Sequence, residues 1–100
     1  MIVHERLLNI LHSAILSNVK KGRFLIDGIE RYFDVFGTEL LGNIVRVKFY
    51  IDEYKGPVTH AALLDRDNIP LVSGVVNFHK EDDGFMYVFD IPLISEEVES

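Results

Sequence analysis

The sequence predicts an α+β fold, with an N-terminal helix packed on a four- to five-stranded antiparallel meander that has the option of closing into a small barrel or sandwich. Three observations carry this. Apolar residues recur at helical spacing over the first twenty positions. From residue 43 onward, short runs alternate apolar and polar side chains with period two. Between those runs stand clusters of Asp, Glu, Asn, Gly and Pro, the chemistry of turns. With 100 residues, 48% hydrophobic and 26% charged, the chain reads as a single domain able to bury a core without metal or disulfide.

Residues 2–20 read as the helix, with Val3, Leu7, Ile10, Leu11, Ala14 and Ile15 on one face. Lys20 and Lys21 stand where the negative end of the helix dipole falls, and Gly22 suits a left-handed position just beyond it. Leu8 and Val19 widen the apolar arc to roughly half the cylinder. A helix covering one sheet uses less. The arc therefore implies a helix clasped between two layers, the commoner solution in a small domain, or a face that meets a partner. Leu8, His12, Ile15 and Val19 are the candidate contact residues on that face.

Residues 23–42 form a connector with two readings. Asp27 as N-cap and Glu30 three residues on fit a short helix at 28–36, with Leu25, Ile29, Tyr32 or Phe33, and Phe36 at helical spacing and Gly37 ending it. That helix is the favoured expectation. The rival is a hairpin turned at Asp27-Gly28, a strong short-range hairpin signal, supported by the aromatic residues nearby.

Residues 43–92 read as strands. In Ile44 to Ile51, Val45, Val47, Phe49 and Ile51 face one way and Arg46, Lys48 and Tyr50 the other, the mark of a half-exposed strand. A turn at 52–57 leads to a strand over Val58 to Leu64. Asp65-Arg66-Asp67-Asn68 turns the chain into Leu71 to His79, where Gly74 suits a bulge or close packing. Glu81-Asp82-Asp83-Gly84 suits a bulged hairpin with Gly84 left-handed. Phe85 to Ile91 is apolar at nearly every position, so the expectation is a strand covered on both faces, stopped by Pro92. Residues 93–100 form an acidic tail, for which a disordered end is the expectation and an electrostatic contact with a basic partner the sharper alternative.

The chemistry is sparse. No cysteine is present, which excludes disulfides, thiolate nucleophiles and cysteine-held metal. The four histidines show no His-x-x-x-His spacing, and a hairpin turning at Asp67-Asn68 pairs His60 near Val75 with His79 about four residues further along. His60, beside Ala61 and Ala62, is the candidate for a partly buried histidine. No serine sits in a nucleophile elbow and no glycine-rich phosphate loop occurs. The acidic turns Asp52-Glu53 and Glu81-Asp82-Asp83 fall at one end of the sheet about 10 Å apart. Oxygen ligands there suit a divalent cation, although solvated turns are the commoner reason for such clusters. The strip Arg46, Lys48 and Tyr50 is the second candidate contact surface, against an acidic partner or as an ordinary face paired with cross-strand acids.

These features point to a non-catalytic protein-interaction or assembly module without cofactor or bound metal, such as a structural subunit of a larger complex of the viral or phage kind. The partner is then a protein, with a homo-oligomer included. The alternative is an acidic inhibitor or immunity-type protein docking on a basic partner, which net charge −6 favours. A small enzyme using His60 or His79 ranks last. That charge argues against nucleic acid, and no run approaches the ~20 apolar residues of a membrane span. The opening residues lack the pattern of a secretory signal, so the setting expected is cytoplasmic, in the producing cell or host.

Overall fold

The computed structural model describes residues 2–93. The helix α1 spans Glu5–Asn18, shorter at both ends than predicted. His4 is extended and offers no side-chain cap, and Val19 is again extended, so no left-handed residue ends the helix. The cause is the strand that begins just beyond it. The Lys20 amide donates to the Leu64 carbonyl at 2.9 Å, and Gly22 lies inside strand β1 (Lys21–Ile26). A Cβ on Gly22 would stand 2.8 Å from the ring of Phe49. Gly22 is therefore a close-approach glycine and not a helix cap.

Over 28–36, where a helix is the favoured expectation, the chain forms the turn and second strand of a hairpin. β1 and β2 (Ile29–Asp34) are joined by Asp27 and Gly28 alone. Their φ angles, 53° and 77°, are both left-handed, as a two-residue type I′ turn requires. A helix N-cap needs Asp27 extended, so helix and hairpin are mutually exclusive here. The tertiary gain favours the strands: cross-strand pairing sets Phe33 opposite Gly22, and its ring meets that of Phe24 edge to face at 5.7 Å.

The chain continues through β3 (Gly37–Leu41), β4 (Ile44–Ile51), β5 (Gly56–Leu64), β6 (Pro70–Lys80) and β7 (Phe85–Pro92). The β5–β6 hairpin turns where the sequence indicated. The Asp65 carboxylate accepts from the amides of Asp67 and Ile69 at 2.9 and 3.0 Å, and Asn68 is left-handed at φ 62°. His60 pairs with Val75 and His79 with Pro57, the register read from the sequence.

The antiparallel α+β expectation holds in its sandwich form, with seven strands in two sheets. One sheet has the order β2-β1-β5-β6 and the other β3-β4-β7; no closed barrel forms among the described residues. The path departs from a meander, because β2 and β3, β4 and β5, and β6 and β7 are each neighbours in the chain but lie in different sheets. β4 pairs with β3 and β7, not with β5. Segments 35–36, 52–55 and 81–84 carry the chain between the sheets. Gly84 thus sits in a crossing segment instead of a hairpin, close under the Tyr50 ring. Gly74 is no bulge either: it pairs in register with Ala61, while the register shifts lie at Val58/His60 and Leu63/Leu64.

The two sheets meet across an apolar core. Phe24, Ile26, Val58 and Leu63 face Val45, Val47, Phe49 and Ile51, all fully buried. Val19 and Ile15 at the end of α1 pack against the same cluster, so the helix is clasped onto the sandwich. β7 corrects a further expectation. Only its alternate residues Tyr87, Phe89 and Ile91 reach the core, while Phe85, Met86 and Val88 are exposed. β7 is a sheet edge, with one solvent face.

Residues 94–100, which hold most of the acidic tail, lie outside the described residues. Among the described residues no helix is long and apolar enough to cross a membrane.

Phe24→Ala is expected to cost about 3–5 kcal/mol, as lost contacts plus a cavity. Gly22→Ala is expected to cost about 1–3 kcal/mol, because Phe49 has to move. Urea denaturation monitored by circular dichroism measures both.

Candidate functional site

The strip Arg46, Lys48 and Tyr50 lies on the outer face of β4, as the alternation predicted. Its cations are engaged. The register places Glu39 and Asp90 on either side of Arg46. Arg46 makes a two-pronged contact with Asp90, Nε to Oδ1 at 2.8 Å and Nη2 to Oδ2 at 3.0 Å, and Lys48 donates to Glu39 at 2.5 Å. The hydrogen bond from Arg46 holds the Asp90 carboxyl below its ordinary value, and that from Lys48 does the same for Glu39. Arg46 is raised in turn, by the hydrogen bond and charge of Asp90. Tyr50 stacks obliquely on Phe36 at 5.9 Å. This face satisfies itself and presents no free row of cations to an anionic partner.

The other sequence candidates form the inward face of α1. Leu8 and Val19 are buried, and Ile15 is half-buried against the core. His12 is half-buried too, its Nε2 shielded from solvent without a hydrogen-bond partner. The broad apolar arc is thus divided. Its inner half is clasped, and its outer half, with Leu7, Ile10 and Ala14, is open to solvent.

That open flank borders a surface that helical and strand periodicity did not single out. Leu11, Ala14 and Ile15 of α1, Leu71 and Val72 of β6, and Pro92 of β7 line an apolar groove of about 400 Å³. Beside it, Pro70–Val75 of β6 is exposed on both faces, and Val75 reaches 81% exposure. β6 ends its sheet, with β5 as its strand neighbour. A signal was present in the sequence: Ile69 to Phe78 is a ten-residue run without charge, in a chain that is 26% charged. Uncharged apolar edge strands are the kind other strands pair with.

The remaining chemistry is dispersed. The two acidic turns do lie together, because Ile51 pairs with Phe85 and Gly56 with Lys80. Lys55 Nζ stands 3.4 Å from Asp82 there, and the described residues hold no group of three or more His, Asp or Glu suited to a metal. His60 is exposed, not partly buried, its Nδ1 3.1 Å from the Thr59 hydroxyl. It borders an open hollow of about 480 Å³ on the outer face of the first sheet, with Arg23 and Glu30. Lys80 is buried at the end of β6 and donates to the Glu81 carbonyl at 2.6 Å. Burial pushes the Tyr87 phenol up from its ordinary value. No family model, curated protein or solved structure matches this chain.

The paired face of β4 is open to two tests. The double change Arg46→Glu, Lys48→Glu sets like charges against Asp90 and Glu39 on an exposed surface. A cooperative thermal transition is expected to persist, lowered by only a few degrees. The second test concerns pH. Both carboxyls titrate lower in the folded chain than their unfolded values of 3.8 and 4.5. Their contribution is complete above those values and is lost as pH falls through the lowered folded ones. Urea midpoints between pH 6 and pH 3 are expected to fall less steeply in the double variant Glu39→Gln, Asp90→Asn than in the native chain.

Proposed function

We propose that this chain is a non-catalytic protein-interaction or assembly module that docks through the apolar surface joining α1 to β6. One observation carries the reading: Ala14 of the open helix flank and Leu71 and Val72 of the exposed half of β6 line a common apolar groove, and Ile10, one turn from Ala14, is exposed on the same flank. Contiguous apolar surface of this kind marks docking sites more often than it occurs without a role. Scattered titratable groups with solvated neighbours support a binding role over catalysis. The reading includes a cytoplasmic setting, which a chain without cysteine permits. A structural subunit of a larger complex is the form of module that suits this size.

A second reading has one observation in its favour. The exposed acids of segments 52–55 and 81–84 stand side by side and give the molecule an acidic end. An acidic inhibitor docking on a basic protein would use that end.

Affinity capture with three baits separates the two. A protein held by the native chain and by Asp82→Lys, Asp83→Lys, but lost by Ile10→Lys, Leu71→Lys, is the expected result. Loss with the acid-to-lysine bait and retention with the other overturns it in favour of the acidic docking reading. Circular dichroism of each bait verifies folding.

A further inference from the structure

We infer that the occupant of the β6 edge is the same edge of a second copy, paired antiparallel about a two-fold axis beside Gly74. The inference rests on the interaction-module reading and names the partner for part of that surface. Three arguments select this occupant.

The first is chemical. An edge strand offers a row of outward amide and carbonyl groups, so the group that satisfies it is another extended strand. The second is charge. Two copies of net charge −6 repel each other, and close approach is least opposed along an uncharged strip. Ile69 to Phe78 is such a strip. The other edge strands carry ionised residues: Glu30, Arg31 and Asp34 on β2, Glu39 on β3 and Asp90 on β7.

The third argument is symmetry. Opposed residues in an antiparallel pair share a face of the sheet. A two-fold axis perpendicular to the sheet therefore sets one residue against its own copy. Gly74, at the middle of the uncharged run, meets nothing within 4 Å where a Cβ would stand. Centring there opposes Val72 with Val76, and Ser73 with Val75. The charged residues flanking the run fix this register. Moving the axis two residues along the strand, to Val76 or to Val72, would set Glu81 and Asp82 against Leu71 and Pro70, or Arg66 and Asp67 against Phe78 and Asn77, and desolvate a charge. The two four-stranded sheets would then join as one of eight strands.

At the ends of the pairing, Asp65 and Asp67 of one copy approach Glu81 and Asp83 of the other. This repulsion is screened within about 10 Å at 0.1 M salt. The dimer is thus expected to strengthen from 20 mM to 300 mM salt, the reverse of an ion-paired interface. Strand pairing alone falls in the class of small interfaces, below about 1,200 Å² in total, which is the class of weak and transient association.

The test uses the absence of native cysteine. Light scattering at increasing concentration is expected to show a mass rising toward twice 11.5 kDa, and Val75→Lys is expected to return it to 11.5 kDa with folding retained. Gly74→Cys is expected to form a disulfide-linked dimer under mild oxidation, because opposed residues approach within disulfide reach. Ile10→Cys, on the helix flank, is expected to cross-link far more slowly. Native protein that stays at 11.5 kDa throughout overturns the inference. So does a dimer that ignores Val75→Lys, or one that cross-links through Ile10→Cys in preference. A persistent monomer that still captures a protein through Ile10 and Leu71 removes the second copy and leaves the module reading standing.

Discussion

The structure depends on how Phe24 is accommodated between the two sheets. Its ring meets those of Phe33, Phe49 and Tyr87 edge to face at 5.3–5.7 Å and lies 6.1 Å from Phe89. These rings come from β1, β2, β4 and β7, so one side chain ties the first hairpin to the second sheet. The contact needs Gly22 two residues earlier on the same face, where any side chain would collide with Phe49. That requirement reaches back into the helix. With Gly22 committed to the strand and Lys20 hydrogen-bonded to Leu64, α1 ends at Asn18, and Val19 turns into the core.

The two sheets are unequal. Four strands face three, so the fourth strand, β6, has only partial cover. Its second half is covered by β7, where Phe78 stacks on Phe85 and Tyr87 at 4.9 and 5.7 Å. Its first half stays exposed, with the apolar groove between it, α1 and the end of β7. The exposed apolar surface is thus a direct consequence of the strand count. The opposite character of the β4 outer face has an equally local origin, since its register brings acid and base into direct pairs.

The sequence was most informative where one face of an element is buried. Val45, Val47, Phe49 and Ile51 were legible as core because water and protein lie on opposite sides of β4. The β5–β6 turn was legible because Asp65 and Asn68 act locally. The sequence misled where two local rules competed. Asp27 and Glu30 satisfy a capping box and Asp27-Gly28 a hairpin, and distant contacts made by Phe24 and Phe33 decided between them. The apolar run of β7 misled for a related reason. Apolar composition reports what a strand can bury, and at this sheet edge the Met86 and Val88 face stays open to solvent.

For the candidate surface, the sequence by itself determined that the apolar arc of α1 was too wide for one packing face, and that residues 69–78 carried no charge. Periodicity and composition are local, and both survive any choice of fold. Tertiary structure alone decided which half of the arc is clasped, burying Leu8 and Val19 while Leu7 and Ile10 stay open. It also decided that β6 ends its sheet, and that Arg46 and Lys48 are already paired. The reason is physical: which strand lies at an edge, and which acid stands opposite a base, depends on pairing between residues as far apart as Arg46 and Asp90. No window along the chain contains that pairing.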